Sequence, residues 1–222
     1  MDPRATYHEA LRALQDQMLA LARLVEQAID RAIAALKARD AELARQVVAE
    51  DVLIDRRRYE IEERVVTLIA TQQPTAGDLR TILAILHITI ELERMGDYAE
   101  GIAKIAEQLA DQPLLKPLID IPRMAEQVRS MLRRSLEAFL ARDAGAARAI
   151  AREDDQIDAL KEQVYRELLT YMIEDPSTIT RATYLIWVTH NLERMADRVT
   201  NICERIVFLV TGRLEETPAP AP

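Results

Sequence analysis

Leu92-Glu93-Arg94-Met95-Gly96-Asp97 returns one hundred residues later as Leu192-Glu193-Arg194-Met195-Ala196-Asp197. Each copy sets a Glu and an Asp four residues apart, so on a helix both carboxylates share one face, a turn apart. An earlier acidic pair precedes each copy. Asp51-Val52-Leu53-Ile54-Asp55 and Asp154-Asp155-Gln156-Ile157-Asp158 share that spacing and an Ile before the second Asp. The chain is a tandem repeat, and what it repeats is a set of carboxylates. Like charges so placed cost an isolated helix about 0.2–0.5 kcal/mol. Four such pairs at matched positions require a cause.

Proline and glycine divide the chain around these pairs. Leu11, Leu14, Met18, Leu21, Val25, Ile29, Ile33 and Leu36 recur every three or four residues, which predicts a first helix over about 6–38. Arg39-Asp40 marks a turn, a second helix runs over about 41–71, and a third opens at Pro74-Thr75 and ends near Asp111. Pro113, Pro117 and Pro122 form the boundary. The second half repeats the plan, with a helix over about 122–141 and a turn at Arg142-Asp143. Another helix runs to about Ile173, and the last runs from Pro176 to Gly212. The expectation is an all-α fold of six helices in two tandem antiparallel three-helix bundles, 1–113 and 117–213. The Pro-rich stretch 214–222 should be a disordered tail.

Composition agrees with helices. The chain of 222 residues has only 5 Gly, 4% aromatics and nearly half apolar residues, enough for a core in each half. A net charge of −8 argues against nucleic acid as the main partner, which would need a basic stripe. One cysteine, Cys203, excludes an internal disulfide and reads as a small buried apolar residue. The N-terminus lacks a secretion-type apolar stretch, and the apolar run 82–90 is short and interrupted by His87 and Thr89. A soluble, cytoplasmic protein is expected, with a peripheral place at the membrane left open.

Counting outward from Pro74 brings the acids to one level. Asp55 and Glu93 each lie 19 residues away, and Asp51 and Asp97 each lie 23 away. At about 1.5 Å per residue, all four stand roughly 30 Å from the turn. Around Pro176 the same holds for Asp158 and Glu193 at 18 and 17 residues, and for Asp154 and Asp197 at 22 and 21. Clustered ionised carboxylates need protons, arginines or metal ions to neutralise them. Oxygen-only ligand sets suit hard cations such as Mg²⁺, Ca²⁺, Mn²⁺ or ferric iron. The candidate ligands are Asp51, Asp55, Glu93 and Asp97 in the first half, and Asp154, Asp158, Glu193 and Asp197 in the second. The alternative is a solvated face, with Arg94 and Arg194 forming weak local salt bridges.

His190 stands three residues before Glu193 and is a further candidate ligand. His87 lies off the Glu93 face and reads as a core or interface residue, as Trp187 and Tyr184 read as core. A Gly-rich phosphate loop, a nucleophile triad, a zinc-type Cys/His cluster and the Glu-x-x-His of di-iron bundles are all missing from the sequence. The acids therefore point to binding rather than to an enzyme.

The string Gln72-Gln73-Pro74-Thr75-Ala76-Gly77-Asp78-Leu79-Arg80, leading to the first signature phrase, resembles the PhoU family of phosphate-signalling regulators. So does Ala182-Thr183-Tyr184-Leu185 through His190-Asn191 to the second phrase, with Asn201-Ile202 beyond it. Asp51 to Asp55 and Asp154 to Asp158 match the acidic pairs of that family's middle helices, and the likeness spans about 5–213. Met95 and Met195 replace its usual Ile, and Gly101 stands where the second copy has Asn201, so the first site lacks any ligand that Asn201 would supply. The resemblance implies two three-helix bundles, acidic motifs that bind metal clusters (iron, Mn or Mg) and a homodimer. It further implies repression of the phosphate-starvation response by linking the phosphate ABC transporter to a membrane sensor histidine kinase, with restraint of phosphate uptake. A metal-storage or redox carboxylate bundle and a purely structural adaptor are the alternatives.

Overall fold

A computed structural model describes residues 3–214; the Pro-rich tail expected to be disordered lies outside the described residues from 215 onward. The described residues form seven α-helices: α1 Pro3–Ala38, α2 Ala41–Gln72, α3 Ala76–Leu109, α4 Asp120–Ala141, α5 Ala144–Ala151, α6 Asp154–Glu174 and α7 Ile179–Thr211. No strand occurs among the described residues. Helices α1 to α3 form one bundle, and α4 to α7 form the second, in which α5 and α6 together occupy the place of α2. All eight apolar positions assigned to the first helix face are buried, so the stripe packs inward as the periodicity predicts.

The repeat is visible atom by atom. Asp40 caps α2 by accepting from the Leu43 N–H at 2.9 Å, and Asp143 caps α5 by accepting from Ala146 N–H at the same distance. Arg39 and Arg142, just before these caps, hold left-handed backbone at φ 56° and 51°. Arg31 of α1 pairs with Glu50 of α2, and Arg134 of α4 pairs with Glu153. Corresponding residues of the first two helices differ by 103 in number, whereas those of α3 and α7 differ by 100. The second hairpin turn is therefore three residues shorter. Pro176 sits in a 3₁₀ turn over Pro176–Thr178 rather than in α7 itself.

One expected helix is interrupted. The segment expected as a single helix up to Ile173 breaks at Arg152–Glu153, where Glu153 N–H donates to Ile150 C=O at 3.0 Å in a tightened turn. Glu153 is held by the Arg134 guanidinium, which donates to both carboxylate oxygens. That fork fixes Glu153 at the start of α6, and Asp154 and Asp155 then fall in its first turn, where acids are favoured.

The bundles meet along α3 and α7, which run antiparallel, with α1 lying against α4 behind them. Met95, Ala99, Ile102, Met195, Val199 and Ile202 are all fully buried, and apolar packing runs without interruption from one bundle to the other. Polar groups fix the register. Glu91 of α3 accepts from Arg198 at 3.3 Å and from Asn201 at 3.1 Å on α7. Nearly three turns away along each helix, the Asn191 amide of α7 fills the space beside Gly101, 3.2 Å from where a Cβ would stand. The connection between bundles is pinned rather than loose. Lys116, 7% exposed, is paired with Glu167 of α6 and lies 3.6 Å from Asp120, while Arg39 and Arg181 donate to the Gln112 and Pro113 carbonyls at 3.0 and 3.2 Å.

Expressed as separate polypeptides, the halves 1–113 and 117–213 should be helical but markedly less stable than the whole, because each leaves its seam face in water. Circular dichroism and thermal melts of each half, alone and mixed, check this. A half that is not helical would mean that the core forms only as one unit.

Candidate metal centres

The first centre is built where α2 and α3 approach closely. Ile54 is buried against Gly96, and a Cβ on Gly96 would meet Ile54 Cδ1 at 3.0 Å and Asp51 Oδ1 at 3.4 Å. With Ile54 turned inward, Asp51 and Asp55 fall on the edge of α2 beside α3. Carboxylate oxygens of Asp51, Asp55 and Asp97 all lie within 4.8 Å of one another. Oxygens on opposite sides of a cation at about 2.3 Å are about 4.6 Å apart. The three side chains therefore have the spread that one hard cation requires. Glu93 stands next to them, with Arg58 of α2 at 4.0 Å.

Electrostatics record the crowding. Burial pushes the Asp51 carboxyl up to about 6, helped by the charges of Glu100, Asp55, Asp97 and Glu93. Glu93 and Asp97 are likewise raised, first by burial and then by their acidic neighbours, with Arg58 opposing both. Glu100, one turn beyond Asp97, joins this field, although Lys104 binds it at 2.5 Å.

The second centre repeats the first with a tighter counter-cation. Burial raises Asp154 to about 7, reinforced by Asp197, Asp158 and Glu193. Asp158 and Asp197 are raised by burial and then by Glu193. Lys161 donates to Glu193 Oε1 at 3.0 Å, and Arg194 lies 2.8 Å from Asp197. Asp154 Oδ1 and Glu193 Oε2 are buried without a hydrogen bond. Orphaned acceptors of this kind fit a hard cation, since burying them unpaired is costly. Among the described residues the second set does not close to the spacing of the Asp51, Asp55 and Asp97 triad.

All eight sequence-predicted carboxylates thus gather in two groups of four. His190 flanks the second group, with Nδ1 3.4 Å from Glu193 Oε2. Asn201 is committed elsewhere, to Glu91 across the seam. Trp187 and His87 are exposed rather than core. Trp187 is 53% exposed and takes an edge-on contact from the half-buried Tyr184, because both lie on the outward side of α7, away from Leu185, Val188 and Leu192. Sequence reasoning missed Arg58 and Lys161, which occupy the same place in both repeats, three residues after the second Asp of each pair. The repeated pattern is Asp-x-x-Ile-Asp-x-x-(Arg/Lys), and its basic position was the available signal.

Comparison with known proteins gives a consistent result. The PhoU domain family matches twice, over residues 18–106 and 121–206, once per bundle. A protein of Aquifex aeolicus named phosphate-specific transport system accessory protein PhoU homolog is 42% identical over 204 residues, 92% of each chain. The crystal structure of PhoU from Pseudomonas aeruginosa superimposes with a TM-score of 0.88 at 36% identity, covering 93% of this chain and 100% of that one. The phosphate transport system regulatory protein PhoU from Streptococcus pneumoniae gives 0.88 at 33%, covering 95% and 99%.

A carboxyl whose pKa is raised on folding binds its proton more tightly folded than unfolded. In the metal-free protein, stability from Asp51 and Asp154 is therefore greatest below their ordinary value of 3.8. It falls as pH rises through about 6 and 7, and stays reduced above. Asp154→Asn should raise the metal-free melting midpoint at pH 8 and change it little at pH 4, with about 2–4 °C for each kcal/mol relieved. Differential scanning calorimetry in chelator checks this, and an equal effect at both pH values would refute it.

Proposed function

The chain belongs to the PhoU family, and on that footing we propose that it is an accessory regulator of phosphate-specific transport that restrains uptake and represses phosphate-starvation signalling. The observation that carries this reading is the co-linear match over 92% of both chains to a relative bearing the accessory-protein name. It acts as a helical adaptor between the phosphate ABC transporter and a membrane sensor histidine kinase, not as an enzyme. No helix among the described residues is long and apolar enough to cross a membrane. In this reading its membrane contact runs through those partner subunits, from the cytoplasmic side.

Hard cations complete the adaptor. Asp51, Asp55, Glu93 and Asp97 hold them in the first bundle, and Asp154, Asp158, Glu193 and Asp197 hold them in the second. Iron, Mn²⁺ and Mg²⁺ all suit such oxygen donors. The first group has the cation-sized spacing, while Lys161 already offsets charge in the second. The first group is therefore the one expected to bind more tightly. Bound cation would supply positive charge that offsets the field of the four acids.

Deleting the gene should release phosphate-responsive genes in replete medium and raise phosphate uptake, measured by reporter expression and labelled-phosphate accumulation. Unchanged expression and uptake would overturn the regulatory assignment. For the cations, thermal melts of the wild type should shift upward with Mn²⁺, Mg²⁺ or iron. E93Q/D97N should melt higher than wild type in chelator and lose the shift due to the first site. A wild-type midpoint indifferent to every hard cation would leave an adaptor without metal.

A further inference from the structure

The two centres differ by one methyl group at the point where their helices meet. Ile54 and Ile157 are equivalent, both are buried, and each directly precedes the second Asp of its pair. The residue that α3 sets against Ile54 is Gly96, whereas the same position of α7 holds Ala196, fully buried. A glycine inside a helix is less favourable than alanine. Gly96 therefore needs a reason that does not apply to Ala196.

The contact with Ile54 supplies that reason. A Cβ on Gly96 would stand 3.0 Å from Ile54 Cδ1 and 3.1 Å from Ile54 Cγ2, inside the separation of about 3.5–4.0 Å that carbon atoms prefer. Cδ1 can swing aside, but Cγ2 cannot, because a β-branched residue in a helix is held to one χ1 rotamer. Relief at Cγ2 requires the backbone of α2 to move away from α3. Asp51 and Asp55 stand on the same turn of α2 as Ile54 and would move with it. Among the described residues, only the centre beside the glycine brings three carboxylates within 4.8 Å of one another.

We propose that Gly96 sets the size of the first centre, and that the exchange of Gly96 for Ala196 gives the two centres different cation preferences. Gly96 ligates nothing; it is a positioning residue that lets α2 bring its acids close to Asp97. The close set favours a cation with short bonds such as Mn²⁺. The wider set beside Ala196 favours Ca²⁺, which takes oxygens at about 2.3–2.6 Å in flexible geometry. The competing cause is Arg194, which lies 2.8 Å from Asp197, whereas Arg94 pairs with Glu91 at 3.2 Å. This inference rests on the cation reading given above and adds the residue that decides which cation each centre prefers.

Isothermal titration calorimetry of the full chain with Mn²⁺ and with Ca²⁺ provides the test, on two backgrounds. D154N/D197N leaves the first centre, and E93Q/D97N leaves the second. On the first background G96A should weaken Mn²⁺ binding about tenfold or more and Ca²⁺ binding about threefold at most. On the second, A196G should raise the preference for Mn²⁺ over Ca²⁺ about tenfold. R194Q should strengthen both cations alike and leave that preference unchanged. Far-UV circular dichroism and melts in chelator report whether G96A folds, and A196G decides the matter if it does not. Equal loss of both cations in a folded G96A overturns the proposal, as does an A196G protein with unaltered preference or an R194Q protein that gains it. If neither background binds Mn²⁺ or Ca²⁺, the cation reading itself falls. Binding that ignores residues 96 and 196 overturns only the role of Gly96.

Discussion

Repulsion among carboxylates held at one height on facing helices is the constraint around which this fold is arranged. Two unit charges 4 Å apart repel by about 1 kcal/mol in water and about 4 kcal/mol near a protein surface. Each cluster sets its carboxylates in one another's field. Something must therefore hold the acids together against their own field, and apolar packing does so. Ile54 and Ile157 are buried directly beside the acids, and Leu92, Met95, Leu192 and Met195 are fully enclosed beneath them. A buried side chain of that size contributes about 1.5–3 kcal/mol, so a few of them outweigh the repulsion of one cluster. The raised carboxyl pKa values at Asp51 and Asp154 record first the burial that this packing imposes and then the charges of the acidic neighbours.

Basic groups moderate the same field without abolishing it. Arg58 and Lys161 come from equivalent places, yet Lys161 reaches within hydrogen-bonding distance of Glu193 whereas Arg58 stays 4.0 Å from Glu93. The difference follows from chemistry as well as position. A flexible ammonium can approach one oxygen, while the Arg58 guanidinium is shared with Glu62 and lies over the Tyr59 ring. The two clusters are thus the same in ligand type and unequal in residual charge.

Much of this arrangement was legible in the sequence because helices and hairpins obey simple counting. Period 3.6 located the buried stripe of α1, and equal distances from Pro74 and Pro176 brought the carboxylates to matching heights. Counting failed where tertiary contacts decide. The break before α6 depends on Arg134 reaching Glu153 from another helix, and no local breaker residue announces it. Trp187 looked like core because aromatic residues usually are, but its angular position on α7 is outside. Asn201 sits near the second signature phrase in sequence and yet serves Glu91, because the antiparallel meeting of α3 and α7 puts a residue 110 positions away at its side.

That meeting of α3 and α7 also bears on how such a chain came to exist. Two like units face each other across an approximate twofold, as in a homodimer whose subunits were later joined into one polypeptide. In a symmetric ancestor every seam contact would occur twice. Here the two halves of the pair have diverged: Glu91 meets Asn201 and Arg198, whereas Asn191 meets the bare backbone of Gly101. A chain made of two first units would set Glu91 against a glycine and a tyrosine, and one made of two second units would crowd Asn191 against Asn201. Each unit has become the specific complement of the other. Across this seam neither half can stand in for its twin.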